Sequence, residues 1–417
     1  MNFDWIIRNA RTVGMAPDQP SVDIGIRGET IAAVEVGLKE NDPLDQERII
    51  AAEGRLVSPG LIETHVHLDK SRIMDRCTPS PNRGSDHMMR VSAVKPDFTV
   101  EDVYARARAT LEACVLNGAT HMRTHVEVDP NIGMRSFEAL LQLREDMRWA
   151  IDLELCVFAQ EGMTNVPEAE ANVEEGLKRG APVIGGAPNY DPDHSGHITR
   201  VFELAREYGV DVDLHLDAGA TTDDMDIHLV CDLTEQYGMG GRVAIGHGTK
   251  YSCLPPDRLA ELGRRLAGVG ITVTVLPATD LFVMGRHLDH NIIRGVTDAN
   301  VLLGHGVNCC LSTNNVLNPF TPFGDGSFIR IANLYANIVQ RGMNEELRDC
   351  FEMMTSHPAR LIGLDSHAIA AGNPADLVLW NARDSAEAVA TIALPLLGFK
   401  RGRKNFSREL PALHTPV

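Results

Sequence analysis

Two histidines separated by a single residue, His65 and His67, are the residues best placed to do chemistry. They close an apolar run that begins at Leu56 and has the composition of a buried β-strand, on which alternate side chains point to the same side. Both imidazoles therefore face one place. Converging imidazoles can supply ligands for a catalytic Zn²⁺ or Fe²⁺ ion that keeps a position for water, so the spacing indicates a metal site.

The apolar run is the first of a series of strand-like segments. Seven further segments rich in apolar and β-branched residues begin near His121, Ile151, Pro182, Val210, Arg242, Ile271 and Val307. Amphipathic helical patterns separate them, and one of these helices is predicted to begin after Thr99 and to end at Asn117 and Gly118. Eight β and α units in alternation predict an α/β fold, a (β/α)8 TIM barrel, over residues 58–362.

Further histidines fall where the predicted strands end. His125 lies on the second strand, His215 on the fifth and His247 on the sixth. The catalytic groups of a parallel barrel lie at the carboxyl ends of its strands. The sequence therefore predicts that these histidines join His65 and His67 in one site.

Six motifs occur in a fixed order along nearly the whole chain. They are PGLIETHVHLDK at 59–70, RTHV at 123–126, FAQEG at 158–162, His215, GH at 246–247 and AGNPADLVL at 371–379. The series resembles the amidohydrolase superfamily and, within it, the cytosine deaminase-like branch near N-isopropylammelide hydrolase. The resemblance implies a hydrolase that cleaves a C–N bond of a small nitrogen heterocycle or amide, by deamination or, as an alternative, by opening a cyclic amide.

The same resemblance implies one divalent metal ion, zinc or iron first and manganese as an alternative. Its implied ligands are His65, His67 and His215, and His247 is implied to orient or deprotonate the water beside it. Gln160 is implied to contact the substrate ring. A metal ion of this kind lowers the pKa of bound water, which then attacks an electrophilic ring carbon near neutral pH.

Two positions depart from the pattern of the branch. Ala218 stands where cytosine deaminase carries a glutamate that passes a proton to the ring, and Asn314 stands where the family carries a metal-binding aspartate. An asparagine carbonyl oxygen can still ligate a metal ion, but it has no charge and accepts no proton at neutral pH. Both departures affect proton transfer, and Asn314 is kept as a catalytic candidate in this altered role.

Three explanations of these departures are left open. In the first, the chain is a working hydrolase with His247 as the base and Asp217, two residues beyond His215, in place of the missing carboxylate. In the second, it is a catalytically silent protein that binds a ligand in the same fold. In the third, it is an enzyme without the metal ion or with a different one. The chemistry of the site, rather than the fold, decides among them.

Three other residues are assigned to the substrate side of the site. Asp280 follows the seventh strand on the active-site face and is predicted to contact the substrate. Lys70 follows the histidine motif and either anchors a loop carboxylate or meets an anionic substrate. His125 is expected to hold a metal ligand or a neighbouring carboxylate.

Both ends of the chain lie outside the predicted barrel. Residues 1–57 contain short strand patterns at 5–10 and 22–26, and residues 363–417 contain another at 371–380. The resemblance implies that these two parts form one small β-sandwich. The predicted second domain is therefore discontinuous in sequence.

The composition limits the partners of the chain. Its 417 residues are 44% apolar and carry a formal net charge of −18, which disfavours nucleic acid and an anionic membrane surface as partners. The sequence lacks a secretion signal pattern and a membrane-spanning apolar run, so a cytoplasmic location is expected. Eight cysteines without the spacing of a zinc site are expected to be reduced thiols. The expected partner is a small heterocyclic substrate, and the resemblance implies a homo-oligomer.

Overall fold

A computed structural model describes residues 2–39, 44–78 and 87–414 of the chain. The strands are β1 Trp5–Thr12, β2 Val22–Arg27, β3 Thr30–Glu35, β4 Ile49–Ala51, β5 Leu56–Pro59, β6 Leu61–Val66, β7 Ala119–Glu127, β8 Asp152–Phe158, β9 Val183–Gly186, β10 Asp211–Leu216, β11 Val243–His247, β12 Ile271–Val275, β13 Asn308–Leu311, β14 Leu377–Trp380, β15 Pro395–Lys400 and β16 Arg403–Ser407. The helices are α1 His87–Ser92, α2 Val100–Leu116, α3 Arg135–Asp146, α4 Pro167–Lys178, α5 His194–Tyr208, α6 Ile227–Tyr237, α7 Pro256–Val269, α8 Pro277–Val283, α9 Ala299–Gly304, α10 Phe328–Val339, α11 Asn344–Glu352, α12 Ser356–Leu361 and α13 Ser385–Thr391.

Strands β6 to β13 pair in chain order, and each pair is parallel. The predicted (β/α)8 barrel is confirmed, and each of the seven predicted strand starts lies within two residues of the observed one. Every residue of β6, β7, β9 and β12 is buried. Helices cover the outer face of a parallel barrel and side chains fill its interior, so both faces of these strands are buried, including polar positions such as Glu63 and Arg123.

Helix α2 shows how local signals set the ends of a barrel helix. The side chain of Thr99 accepts a hydrogen bond from the backbone N–H of Asp102 at 3.2 Å, which caps the first turn. At the other end Gly118 adopts a φ of +98°, a conformation that favours glycine. The helix therefore begins and ends where the sequence predicts.

The barrel is completed by the segment that follows β13. The backbone N–H of Asn314 donates to the carbonyl of His65 at 3.0 Å, and the N–H of His67 donates to the carbonyl of Asn314 at 2.8 Å. Asn314 has a φ of +59°, which asparagine tolerates better than most residues. These bonds place Asn314 directly beside the histidine pair.

The remaining strands form a second sheet from both ends of the chain, in the order β16-β15-β14-β5-β1-β2-β3 with β4 paired to β1. Its discontinuous origin agrees with the prediction, while the boundaries at residues 57 and 363 stay a prediction. Lys400 ties this sheet to the base of the barrel, because its Nζ lies 2.8 Å from Asp152 and 2.7 Å from Asp376. None of the described helices combines the length and the apolar composition that crossing a membrane requires.

Candidate active site

Three imidazole rings meet at the carboxyl ends of β6 and β10. The Nε2 atom of His215 lies 3.1 Å from Nε2 of His65 and 3.0 Å from Nε2 of His67. Burial, with a further contribution from His125, lowers the pKa of His65 to about 3. Burial also holds the pKa values of His67 and His215 well below the ordinary value. At neutral pH the three rings are therefore uncharged donors of lone pairs.

The hydrogen-bonding state of these atoms fits a bound metal ion. Nε2 of His215 faces two nitrogens but can take part in only one N–H···N hydrogen bond. One of the two short contacts is therefore left without a hydrogen bond. The side-chain Oδ1 of Asn314 is buried beside the rings and has no hydrogen-bond partner. Ligand atoms of His65, His215 and His247 also lie within 4.8 Å of one another. Nitrogen donors with one added oxygen are a suitable set for a divalent transition metal.

A buried carboxylate supports the cluster from behind. Asp213 Oδ1 lies 3.6 Å from Nδ1 of His65 and 3.5 Å from Nε2 of His125, and its Oδ2 accepts from Arg123 at 3.1 Å. Burial opposes ionisation of Asp213, but His125 and His65 outweigh it and hold its pKa well below the ordinary value. A carboxylate behind a histidine ligand fixes the orientation of the ring.

His125 belongs to this support. Its ring stacks on that of His65 with 3.8 Å between centroids, and its nitrogens lie in the buried layer beside Asp213. The structure does not place it in the cavity wall described below. Its expected role of holding a neighbouring carboxylate matches this position, and its grouping with substrate-binding residues stays a prediction. Asp213 was not singled out from the sequence, although its position two residues before His215 on a buried strand is a usable signal.

His247 is held by Asp280. Nδ1 of His247 lies 2.6 Å from Oδ1 of Asp280, and the other carboxylate oxygen accepts the N–H of Leu276 at 3.3 Å. Asp280 is in the first turn of α8, directly after β12, and burial raises its pKa. Because Nδ1 is occupied, Nε2 is the nitrogen that His247 can offer to a reaction. Asp280 thus lies at the predicted face, and its observed contact is to His247.

The structure does not bring Asp217 into the cluster. Its carboxylate accepts the backbone N–H groups of Asp226 at 2.8 Å and Ile227 at 3.2 Å, and the hydroxyl of Tyr251 at 3.1 Å. Strand β10 ends at Leu216 and Asp217 adopts a φ of +50°, so the alternation that would put it on the side of His215 is broken. The geometry therefore gives no support to Asp217 as a replacement for the missing carboxylate.

A small cavity of about 80 Å³ opens in front of the histidines. The predicted residues in its wall are His67, Lys70, Gln160, His215, His247, Asp280 and Asn314, and Ala218 also lines it. The wall residues that the sequence reasoning missed include His87, Asn189, Tyr190, Asn315 and Phe320. His87 begins the short helix α1 after the first barrel strand, and the other four follow the fourth and eighth strands, where no periodic pattern marks them.

Lys70 and Gln160 form one polar corner of the cavity. Nζ of Lys70 donates to Oε1 of Gln160 at 3.2 Å and to Oε1 of Glu127 at 2.5 Å, and it lies 4.4 Å from the centroid of the Phe320 ring. Glu127 also pairs with Lys95 at 2.6 Å. Burial works against the charge on Glu127, but the two lysines outweigh it and lower its pKa. Lys70 therefore contacts a carboxylate, as one of its two expected roles requires, but that carboxylate belongs to Glu127 at the end of strand β7 and not to a loop.

Replacing Glu127 by glutamine will destabilise the protein. Lys70 would lose its charge partner while its side chain stays 2% exposed, and breaking such a buried pair costs about 3 kcal/mol. We expect the free energy of unfolding in urea, followed by circular dichroism, to fall by about this amount. The control is Glu112→Gln on α2, which removes an exposed pair with Arg108 and should change little. Equal stability of the two variants would contradict the prediction.

A model of the amidohydrolase family matches residues 147–394 of the chain. The N-isopropylammelide isopropyl amidohydrolase of Pseudomonas sp. strain ADP is 28% identical over 412 residues, with 96% of this chain and 97% of that protein covered. The pterin deaminase of Rhizobium rhizogenes is 26% identical over 363 residues, covering 85% of this chain and 82% of that protein.

Solved structures show the same likeness in three dimensions. The 5-methylcytosine deaminase of Klebsiella pneumoniae, in a crystal structure with 5-fluorocytosine, superposes with a TM-score of 0.92. It is 26% identical in sequence, and the match covers 99% of each chain. The arrangement of barrel and second sheet is therefore shared along the full length of both proteins.

Proposed function

We propose that this chain, which belongs to the amidohydrolase family, hydrolyses a C–N bond of a small nitrogen heterocycle with one divalent metal ion. The observation that carries the proposal is the convergence of the His65, His67 and His215 nitrogens at 3.0 to 3.1 Å, beside a small cavity that His67 and His215 line. The relatives named as an ammelide amidohydrolase, a pterin deaminase and a methylcytosine deaminase support this substrate class. Deamination is the first candidate reaction, and opening of a cyclic amide is the second.

Neutral histidines would hold the metal ion. His65, His67 and His215 offer uncharged nitrogens, and Asn314 offers the unpartnered carbonyl oxygen beside them. Imidazole donors favour zinc or iron, with manganese a weaker fit. When bound, the ion supplies a Lewis acid that activates water. Asn314 adds no negative charge to this set. The site therefore carries one negative charge fewer than the family pattern, which has an aspartate at this position.

His247 takes the role of proton acceptor. Asp280 holds the ring through Nδ1 at 2.6 Å and stabilises the cation that forms when Nε2 takes up a proton. Asn314 cannot do this, since an amide oxygen is not a base at neutral pH. The dyad of His247 and Asp280 therefore supplies the proton acceptor that the missing aspartate would have provided.

Lys70 and Gln160 position the substrate. Because Nζ of Lys70 donates to Oε1 of Gln160, the amide nitrogen of Gln160 remains free to donate to a ring acceptor. Both side chains line the cavity and are almost completely buried. A carbonyl oxygen or an unprotonated ring nitrogen matches these donors. Ala218 lines the same cavity and offers no side-chain proton donor where the cytosine deaminase pattern has a glutamate.

A substrate panel tests the proposal. We expect the metal-loaded protein to hydrolyse at least one member of a panel of cytosine, 5-methylcytosine, N-isopropylammelide, pterin and hydantoin. Ammonia or amine release and ring opening are followed by chromatography, with chelator-treated protein as the control. Tight metal binding without turnover of any member would favour the silent ligand-binding protein instead.

Restoring the glutamate and the aspartate of the branch pattern at positions 218 and 314 tests the proposed proton transfer. We expect the double variant Ala218→Glu with Asn314→Asp to gain cytosine deamination by at least about a hundredfold, the order of effect of one placed acid or base. The matched control is Ala218→Gln with Asn314→Asp, in which the new side chain has the same size and no titrating proton. Equal rates for the two variants would show that substrate fit, and not proton transfer, limits the reaction.

The oligomeric state and the location of the chain stay predictions. The acidic composition and the small cavity agree with a small-molecule substrate as the main partner. A homo-oligomer is expected from the resemblance, and light scattering of the purified protein measures it directly.

A further inference from the structure

A second cavity adjoins the histidine-lined one and is much larger, with a volume of about 620 Å³. The side chains of Met284 and Asn315 line both cavities. Most of its wall is apolar, with contributions from Leu281, Phe282, Ile292, Phe323, Ile331 and Leu334. A cavity of this character takes up an apolar group.

One charged group in this wall lacks a partner. The guanidinium of Arg286 lies 4.5 Å from the centroid of the Phe282 ring, and its buried Nη1 atom has no hydrogen-bond partner. Throughout the part of the chain that the structure describes, no carboxylate forms an ion pair with Arg286. A carboxylate in the cavity would therefore meet a lining guanidinium whose charge no acidic side chain of the described chain neutralises.

A second arginine in the same wall shows the contrast. Arg330 donates from Nε and Nη2 to Oδ1 of Asp325 at 3.0 and 2.8 Å. Its charge is therefore already neutralised by its own chain. The uncompensated positive charge in the wall of this cavity is therefore that of Arg286.

The two side chains that line both cavities differ in how firmly they are held. Asn315 is held in place, because its Oδ1 accepts from Asn318 at 2.7 Å and its Nδ2 donates to Thr279 at 3.5 Å. Met284 has an unbranched thioether side chain that adopts several rotamers at low cost. A change in the rotamer of Met284 is therefore the movement that we expect to connect the two spaces.

We propose that the second cavity is a subsite for an apolar arm of the substrate that ends in a carboxylate, which pairs with Arg286. The ring of that substrate occupies the histidine-lined cavity, so this inference rests on the proposed function for the identity of its ligand. Arg286 is a specificity residue: a planar guanidinium pairs with a carboxylate through two parallel hydrogen bonds. A substrate without the arm fits the small cavity but leaves the second one empty.

The test measures binding of 4-phenylbutanoate to the full chain by calorimetry, with 4-phenylbutanamide as the neutral probe of the same shape. We expect the acid to bind at least about tenfold more tightly than the amide, the usual size of a charge-assisted pair. Arg286→Gln should bring the acid down to the affinity of the amide and leave the amide unchanged. The matched control Arg330→Gln should keep the preference for the acid.

Two further measurements make the outcome specific. Repeating the titration with chelator-treated protein excludes binding of the carboxylate to a metal ion, and Leu334→Trp should weaken binding of both probes by narrowing the cavity. Equal affinity of acid and amide, or a preference that survives Arg286→Gln, would overturn the subsite. The protein could also prefer the acid in a way that depends on Arg286 and yet turn over no heterocycle. That result would support the subsite and contradict only the proposed function.

Discussion

Replacing His215 by alanine will abolish metal binding and activity together. His215 Nε2 is the atom shared by both short contacts of the cluster, so its loss leaves His65 and His67 without a third nitrogen. Lewis-acid activation of water contributes several kcal/mol to the reaction, so activity on any substrate of the panel should fall by about a thousandfold or more. Elemental analysis of wild-type protein and variant gives the metal content per chain.

The control for this experiment is His228→Ala, which removes an exposed histidine from α6. It should retain the metal content and the activity of the wild-type protein. Circular dichroism distinguishes loss of the metal ion from loss of the fold. If the wild-type protein lacks the metal ion, or if His215→Ala keeps both metal and activity, the histidine cluster does not act as proposed.

Replacing His247 by asparagine will reduce turnover while the metal ion stays bound. His247 is held by Asp280 and takes no part in the short contacts among His65, His67 and His215, and its proposed role is to accept a proton at Nε2. General base catalysis contributes about 10²- to 10⁴-fold, so kcat should fall within that range. Asp280→Asn should lower kcat in the same direction, because the neutral amide no longer stabilises the protonated ring.

The matched control is His287→Asn, an exposed histidine shortly after α8. Its activity should equal that of the wild-type protein. Metal content separates two roles of His247: a variant that loses the ion as His215→Ala does would identify His247 as a ligand, and the proton-acceptor role would be wrong.

Much of the barrel follows from the sequence because its signals are local. Apolar runs of strand length, capping residues such as Thr99 and the positive φ of Gly118 act within a few residues of the chain. Parallel strands then bring their carboxyl ends together without further information. This is why histidines spread from residue 65 to residue 247 can be assigned to one site before the structure is known.

Other parts of the site depend on contacts between distant segments. Asp213 and Glu127 act from inside the barrel, and their partners His125 and Lys70 come from other strands and loops. Each of these two carboxylates lies two positions from a histidine on a buried strand, Asp213 from His215 and Glu127 from His125. This spacing is a signal that the sequence does contain. The alternation fails at Asp217, however, because a turn begins there and sends the carboxylate to the backbone of α6 instead.

The sequence by itself determined the barrel, the second sheet built from both chain ends and the histidines at the strand ends, because these follow from periodicity, composition and chain order. Only the tertiary structure decided that Asp280 holds His247, that Asp217 stays outside the cluster and that Arg286 lines a cavity next to the active site. Side-chain direction after a strand ends, and the space enclosed between loops, depend on packing between residues far apart in the chain, and no local pattern encodes them.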